Sequence, residues 1–303
     1  MRWNHWSSES IGVALAILAA FGFSFKAIFV KLAYAVPQAV PVDAVTLLSL
    51  RMWFALPFFV LIGLHASRSA PPLSRGDWLT LSSLGLLGYY GASILDFIGL
   101  GYISAGLERL ILFTYPTLTV LIGVLFMGKT LQRREIAALF LSYAGIGLVF
   151  FHDLEFSGES RAVLLGSAFV FASSLSYALY LAGSGAMIQR LGSARFTALA
   201  MLISTLATQL HFLVTQPLSA LRQPLPIYAY GAAMALLSTV LPVFLQSAAI
   251  RRIGASRSVM IGTLGPMLTI VFAWWLLDEP LSSGQMAGAV LVLAGVWLTS
   301  RRR

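Results

Sequence analysis

Long apolar stretches make up most of this chain, and charges, prolines and glycines collect in the short gaps between them. Taken against those breakers, the stretches predict helical spans near residues 11–36, 42–65, 78–102, 104–127, 133–151, 161–189, 194–215, 226–250, 255–277 and 283–299. Two junctions carry no charged gap. Pro37 and Pro41 break the first. The second lies within Trp78 to Met127, whose 50 residues would reach ~75 Å as one helix, more than twice the ~30 Å hydrocarbon core. That stretch has to turn, and Gly99, Gly101 and Gly106 mark the place.

Composition says what surrounds these helices. Hydrophobic residues make up 58% of the chain and charged residues 10%, with a mean hydropathy of +0.86. A soluble domain carries roughly 25% charged residues. Most of this surface must therefore face lipid, and the expected fold is an all-α integral membrane protein of ten transmembrane helices. The stretch that begins at Ile11, after Met1-Arg2-Trp3-Asn4, continues through Lys26 to Val36 and is taken as a span, not a cleaved signal. The absence of cysteine excludes disulfides, thiolate metal sites and a thiol nucleophile.

The balance of 20 Lys and Arg against 11 Asp and Glu would suggest nucleic acid in a soluble protein. Here the cations sit in short gaps and set the orientation, so no nucleic-acid partner is expected. With the N-terminus in the cytoplasm, fourteen of the 20 fall on the cytoplasmic side: Arg2, Arg68, Arg75, Lys129, Arg133, Arg134, Arg190, Arg195, Arg251, Arg252, Arg257 and Arg301–Arg303. Only Arg161 and Arg222 fall outside, and Lys26, Lys31, Arg51 and Arg109 lie within spans. Both termini are expected in the cytoplasm of a multi-pass cell-membrane protein, a bacterial inner membrane being the expected setting.

The two halves resemble each other at an offset of 150. Ala105, Pro116, Thr119, Leu131 and Gly145 match Ala255, Pro266, Thr269, Leu281 and Gly295, and residues 104–149 align with 254–299 without a gap. The units are then 1–151 and 152–303, five spans each. Five is odd, so the second unit must insert upside down, the arrangement that lets one fold open to either side of a membrane.

Each unit ends on a helix, a short polar turn and a Gly-rich last helix: FMGKTLQRREIAALFLSYAGIGL over 126–148 and LLDEPLSSGQMAGAVLVLAGVWL over 276–298. With Phe21-Gly22-Phe23-Ser24 in the first helix, this resembles the drug/metabolite transporter superfamily, EamA type. The family usually has Glu at the turn in both units; here Glu279 fits and Lys129 replaces the other. Length, termini and the aromatic content of the third helix are most similar to the amino-acid exporters of the YddG kind. The resemblance implies alternating access around a cavity lined by helices one, three, four, six, eight and nine. It also implies a small-molecule substrate, no cofactor and a functional monomer in the lipid bilayer. A quaternary-cation, drug or general metabolite exporter is the alternative. A membrane-embedded enzyme or a channel stands further off.

Other motifs weaken on inspection. Gly123-Val124-Leu125-Phe126-Met127-Gly128-Lys129-Thr130 spells a phosphate loop, but its bulky apolar residues end a span instead of following a strand. His5, His65, His152 and His211 are scattered, with no metal-ligand spacing and no Ser/His/Asp set. Gly85, Gly88 and Gly91 are expected to allow close helix approach, and Gly284 with Gly288 to pack the tenth helix on the fifth.

Ionisable residues inside spans default to functional candidates. Lys26, Arg51, Asp96, Glu108 and Arg109 all fall in the outer half, and Asp96, Glu108 and Arg109 face Gln246, Ser258 and Val259 in the repeat. Arg51 and Glu108, near span ends, read more as scaffold ion pairs, and for Lys26 and Asp96, deeper in, a scaffold pair and a substrate role stand level. Tyr89, Ser93 and Asp96 share one helix face, with Thr239 and Gln246 repeating part of it. Tyr90 and Tyr115 join the substrate-binding candidates, and Tyr177 and Tyr180 on the sixth helix would add an aromatic wall. Pro116 and Pro266 lack a donor, freeing the carbonyls of Leu112 and Gly262 as hinges or as ligands for an ammonium. A zwitterion would then place its carboxylate on Lys26 and its ammonium on Asp96 or a freed carbonyl.

Overall fold

The computed structural model describes residues 8–39, 41–128, 133–156, 160–262 and 264–300. Among the residues named above, Met1–His5, Lys129–Leu131 and Arg301–Arg303 lie outside the described residues. The described chain is helical, without strands: α1 (Ser8–Tyr34), α2 (Ala44–Ser67), α3 (Arg75–Gly85), α4 (Ala92–Leu100), α5 (Ala105–Leu112), α6 (Tyr115–Met127), α7 (Arg133–Phe156), α8 (Ser160–Leu191), α9 (Ser193–Thr215), α10 (Leu225–Ala235), α11 (Leu241–Gly262), α12 (Leu264–Leu277) and α13 (Ser283–Ser300). A π-helical segment at Leu86–Gly91 joins α3 to α4, and another at Leu236–Val240 joins α10 to α11. Among the described residues, seven helical stretches are long and apolar enough to cross a membrane, and Leu139–Phe151, Leu264–Leu277 and Ser283–Gly295 are shorter apolar helices.

Local chemistry sets the ends. Asp43 accepts from the amides of Val45 and Thr46 and starts α2. Ser74 and Asp77 form a reciprocal capping box on α3. Gly128, at φ 64°, ends α6 in the left-handed conformation that suits glycine. The long apolar stretch does turn, over residues 101–104, where the Ser104 side chain caps α5. Pro116 stands in the first turn of α6, where its missing N–H costs little. It starts a helix instead of bending one.

The second half departs from expectation. No turn interrupts the helix near 250–255, and α11 continues to Gly262. The positions that match Gly101 and Ser104 are Arg251 and Gly254, so the side-chain oxygen that caps α5 has no counterpart. Pro266 lies in the described helix Leu264–Leu277.

Lipid is as apolar as leucine, so helices here must associate through close packing. The buried face of α1 is made largely of small residues, among them Gly12, Ala16, Ala19, Ala20, Ser24 and Ala27. A Cβ on Gly12 would lie 2.5 Å from Ile253, and one on Gly22 would lie 2.6 Å from the Leu237 carbonyl. Helices α7 and α13 cross even more closely. A Cβ on Gly145 would come within 2.5 Å of the Gly288 carbonyl, and the reverse holds equally. This is the packing of the fifth predicted span on the tenth. Bulky apolar side chains such as Leu79, Leu125, Phe126 and Val214 point outward, where hydrocarbon would cover them.

Candidate functional site

Five charged side chains from four helices gather within ~12 Å of the ends joined by loops 35–43 and 101–104, counting 1.5 Å per residue. Lys26 on α1 sits at the centre. Its Nζ lies 2.5 Å from Asp96 Oδ2 and 3.3 Å from Glu108 Oε1. Arg109 Nε lies 3.8 Å from Glu108 Oε2, while its Nη2 donates to the Phe23 carbonyl at 3.0 Å. Asp96 and Glu108 are essentially inaccessible. Arg51 on α2 stands beside this group with its guanidinium 5.5 Å above the Phe97 ring, and its Nε donates to Thr239 Oγ1 at 3.1 Å. Thr239 lies in the second π segment and donates in turn to the Met234 carbonyl, five residues back. Buried and without a hydrogen-bond partner are Asp96 Oδ1, both Glu108 carboxylate oxygens, Arg51 Nη1 and Arg109 Nε. Ionisable groups at this depth cost roughly 2.5–3.5 kcal/mol each on the insertion scale, so such incomplete bonding marks a site more than a scaffold.

The tyrosines form a second group. Tyr89 and Tyr180 share a hydrogen bond of 2.9 Å across rings 5.1 Å apart. Tyr180 stacks on Tyr177 at 5.5 Å, and Tyr177 meets Tyr115 edge-on at 5.1 Å. Gly88 makes room for this ladder, since a Cβ there would lie 2.3 Å from the Tyr180 ring. Tyr90 points elsewhere and bonds His211 Nδ1 at 3.0 Å. Ser93 is half-buried one turn beyond Tyr89, and Gln246 is half-buried on α11 with no hydrogen bond to the charged group among the described residues.

Two assignments change. Lys26 is taken up by Asp96 and Glu108, so neither Lys26 nor Asp96 is free to meet a zwitterion in the manner expected. The Leu112 carbonyl accepts the Ser174 hydroxyl at 3.1 Å, so it is not an open ligand for an ammonium. Gly262 ends α11 and is half-buried. An apolar groove of about 450 Å³ runs between α1 and the α10–α11 stretch, lined by Phe21, Phe25, Phe29, Leu237 and neighbouring leucines. It offers nothing to a polar solute.

Some contacts had no signal in the spacing. Tyr90 and His211 are 121 residues apart. Glu279, prominent as the residue of the second turn, accepts from the Ala105 amide at 2.9 Å and the Gly106 amide at 3.4 Å, capping α5 from the other half of the chain. At the opposite ends of these helices Arg190 clasps Asp77, with contacts of 2.5 and 2.6 Å, and Arg195 donates to the Pro71 carbonyl at 3.0 Å.

Comparison with known proteins agrees with this architecture. The EamA-like transporter family matches over residues 10–151 and again over residues 164–301. The chain is 30% identical over 289 residues to the uncharacterized transporter YcbK of Bacillus subtilis, covering 91% of this chain and 88% of that one. It is 26% identical to the uncharacterized transporter sll1319 of Synechocystis, covering 95% and 92%. A solved crystal structure at 16% identity shares the fold with a TM-score of 0.62 over 96% of both chains. The chain is thus a multi-pass membrane protein and belongs to the EamA-like transporter family.

Proposed function

We propose that this chain is a secondary carrier that exports small metabolites, amino acids foremost, by alternating access. The two units, 1–151 and 152–303, are inverted relative to one another, with both termini in the cytoplasm of a bacterial inner membrane, and the single chain is the working unit. The observation that carries this reading is the pairing of helix interruptions at the offset of 150. The π segments begin at Leu86 and Leu236, positions 150 apart. Well under 1% of residues in proteins are π-helical, and such bulges concentrate at functional sites, so a matched pair speaks for two copies of one moving unit. The cations assigned to the cytoplasm support the orientation, because Arg190 and Arg195 meet the segment that precedes and opens α3.

The buried charges favour an amphoteric polar solute, and neutral amino acids satisfy that chemistry with the tyrosines beside the side chain. The tyrosine ladder also favours a second reading, an exporter of organic cations, through attraction between a cation and ring faces. Counterflow in liposomes separates the two. Labelled neutral amino acids should exchange saturably and compete with one another, and a quaternary ammonium should not displace them. Displacement by the cation alone would favour the second reading, and non-saturable flux would favour a pore.

A further inference from the structure

We propose that Arg51 and Thr239 form the seat for a carboxylate on the transported molecule. This rests on the carrier reading above and adds to it the group that is recognised. Lys26, Arg51 and Arg109 bring three cations to the cluster, and Asp96 and Glu108 bring two carboxylates. Both carboxylates are taken, Asp96 by Lys26 and Glu108 by Lys26 and Arg109. Arg51 is left over. It is 7% exposed, and among the described residues it makes no ion pair within 4 Å. Asp96, the carboxylate of the neighbouring helix, is held by Lys26 at 2.5 Å.

The guanidinium is also pre-oriented. Its Nε donates to Thr239 Oγ1, whose own proton goes to the Met234 carbonyl, so the threonine presents a lone pair to the arginine. The Phe97 ring lies beneath it. Nη1 is buried and has no acceptor. A fixed planar cation with an unused N–H in a water-poor interior is complementary to a planar anion. Among the anions a small metabolite carries, the carboxylate is the planar one. The seat is built from α2 of the first half and the π segment of the second, so an anion bound there touches both units.

Thermal protection of the purified full chain in nanodiscs tests this. The probes are L-leucine and L-phenylalanine, their primary amides, 3-phenylpropionate and sodium chloride. The acids should raise the unfolding midpoint and the amides should not. Arg51→Gln should weaken apparent binding of the acids tenfold or more, Arg51→Lys less, and Thr239→Val several-fold. Thr239→Val keeps the charge and covers the case in which Arg51→Gln fails to fold. Equal protection by amides and acids, protection by chloride alone, unchanged binding in Thr239→Val and Arg51→Lys, or no protection by any acid would each overturn the proposal. Counterflow keeps the two readings apart. Saturable exchange in which amides compete as well as acids defeats the carboxylate seat and leaves the carrier, whereas no exchange of any labelled probe defeats the carrier.

Discussion

Replacing Lys26 by methionine preserves the reach of the side chain and removes the charge that Asp96 and Glu108 share. Removing one partner of a buried pair costs about 3–5 kcal/mol, because the other charge stays behind uncompensated. The Lys26 side chain keeps 18% of its surface accessible, which places the expected loss at the lower end, about 3 kcal/mol. Asp96→Asn should cost less, about 1–3 kcal/mol, since Lys26 retains Glu108 at 3.3 Å. The double variant carries the reasoning. With both charges gone, the methionine no longer strands Asp96, and Glu108 still faces Arg109. The double variant should therefore be about as stable as Lys26→Met alone, with a coupling between the two sites equal to the Asp96→Asn loss, about 1–3 kcal/mol. Unfolding by SDS titration in mixed micelles, followed by tryptophan fluorescence, measures all three. A loss below ~0.5 kcal/mol in Lys26→Met would refute the shared-charge account, as would single losses that simply add in the double variant.

Other parts of the structure give sharper yes-or-no outcomes. Gly145→Val places a Cβ against the Gly288 carbonyl and should lose about 2–3 kcal/mol, whereas Gly147→Ala, with open space around it, should be neutral by size-exclusion and thermal midpoint. Glu279→Gln weakens the cap on α5 and should cost about 0.5–2 kcal/mol, with faster amide exchange at Ala105 and Gly106; unchanged exchange there would remove the cap from the account. In this cysteine-free chain, a cysteine at exposed Ser219 should react with an impermeant maleimide added outside intact cells, and one at exposed Ser69 or Ser193 should not. The reverse pattern would invert the orientation.

Much of the fold was legible because the bilayer restricts the choices. A helix that has to span hydrocarbon needs a long apolar stretch, and such stretches are visible without any knowledge of packing. The turn between α4 and α5 followed from length alone. Gly288 was legible as a packing residue because small residues are what lets lipid-embedded helices approach, whereas Gly145 stood out only as the repeat match of Gly295. The charged residues of the site were legible one by one, since each is costly inside a span, but not as an arrangement. For Lys26 the sequence leaves a substrate role and an ion pair with Asp96 equally open, and nothing in the spacing of two residues 70 apart says that Asp96 holds it. Arg51 had the opposite fate. Its position near a span end suggested a scaffold pair, and only the side-chain geometry shows that its partner is a hydroxyl.

The α4–α5 junction explains why the two halves, alike in pattern, differ in structure. A break in a membrane helix exposes amides that no water can satisfy, so something must cap them. For α5 the caps are Ser104 from its own turn and the Glu279 carboxylate from the opposite unit, which also suits the positive end of the helix dipole. At the matching positions of the other unit stand Gly254, with no side-chain oxygen, and Lys129, a cation that offers only donors. Neither can satisfy an N-terminus, and the α11 backbone accordingly keeps its own hydrogen bonds through residues 250–255. Near-symmetry in sequence thus yields one capped joint and one continuous helix, and the two faces of the carrier would have to be gated by different parts.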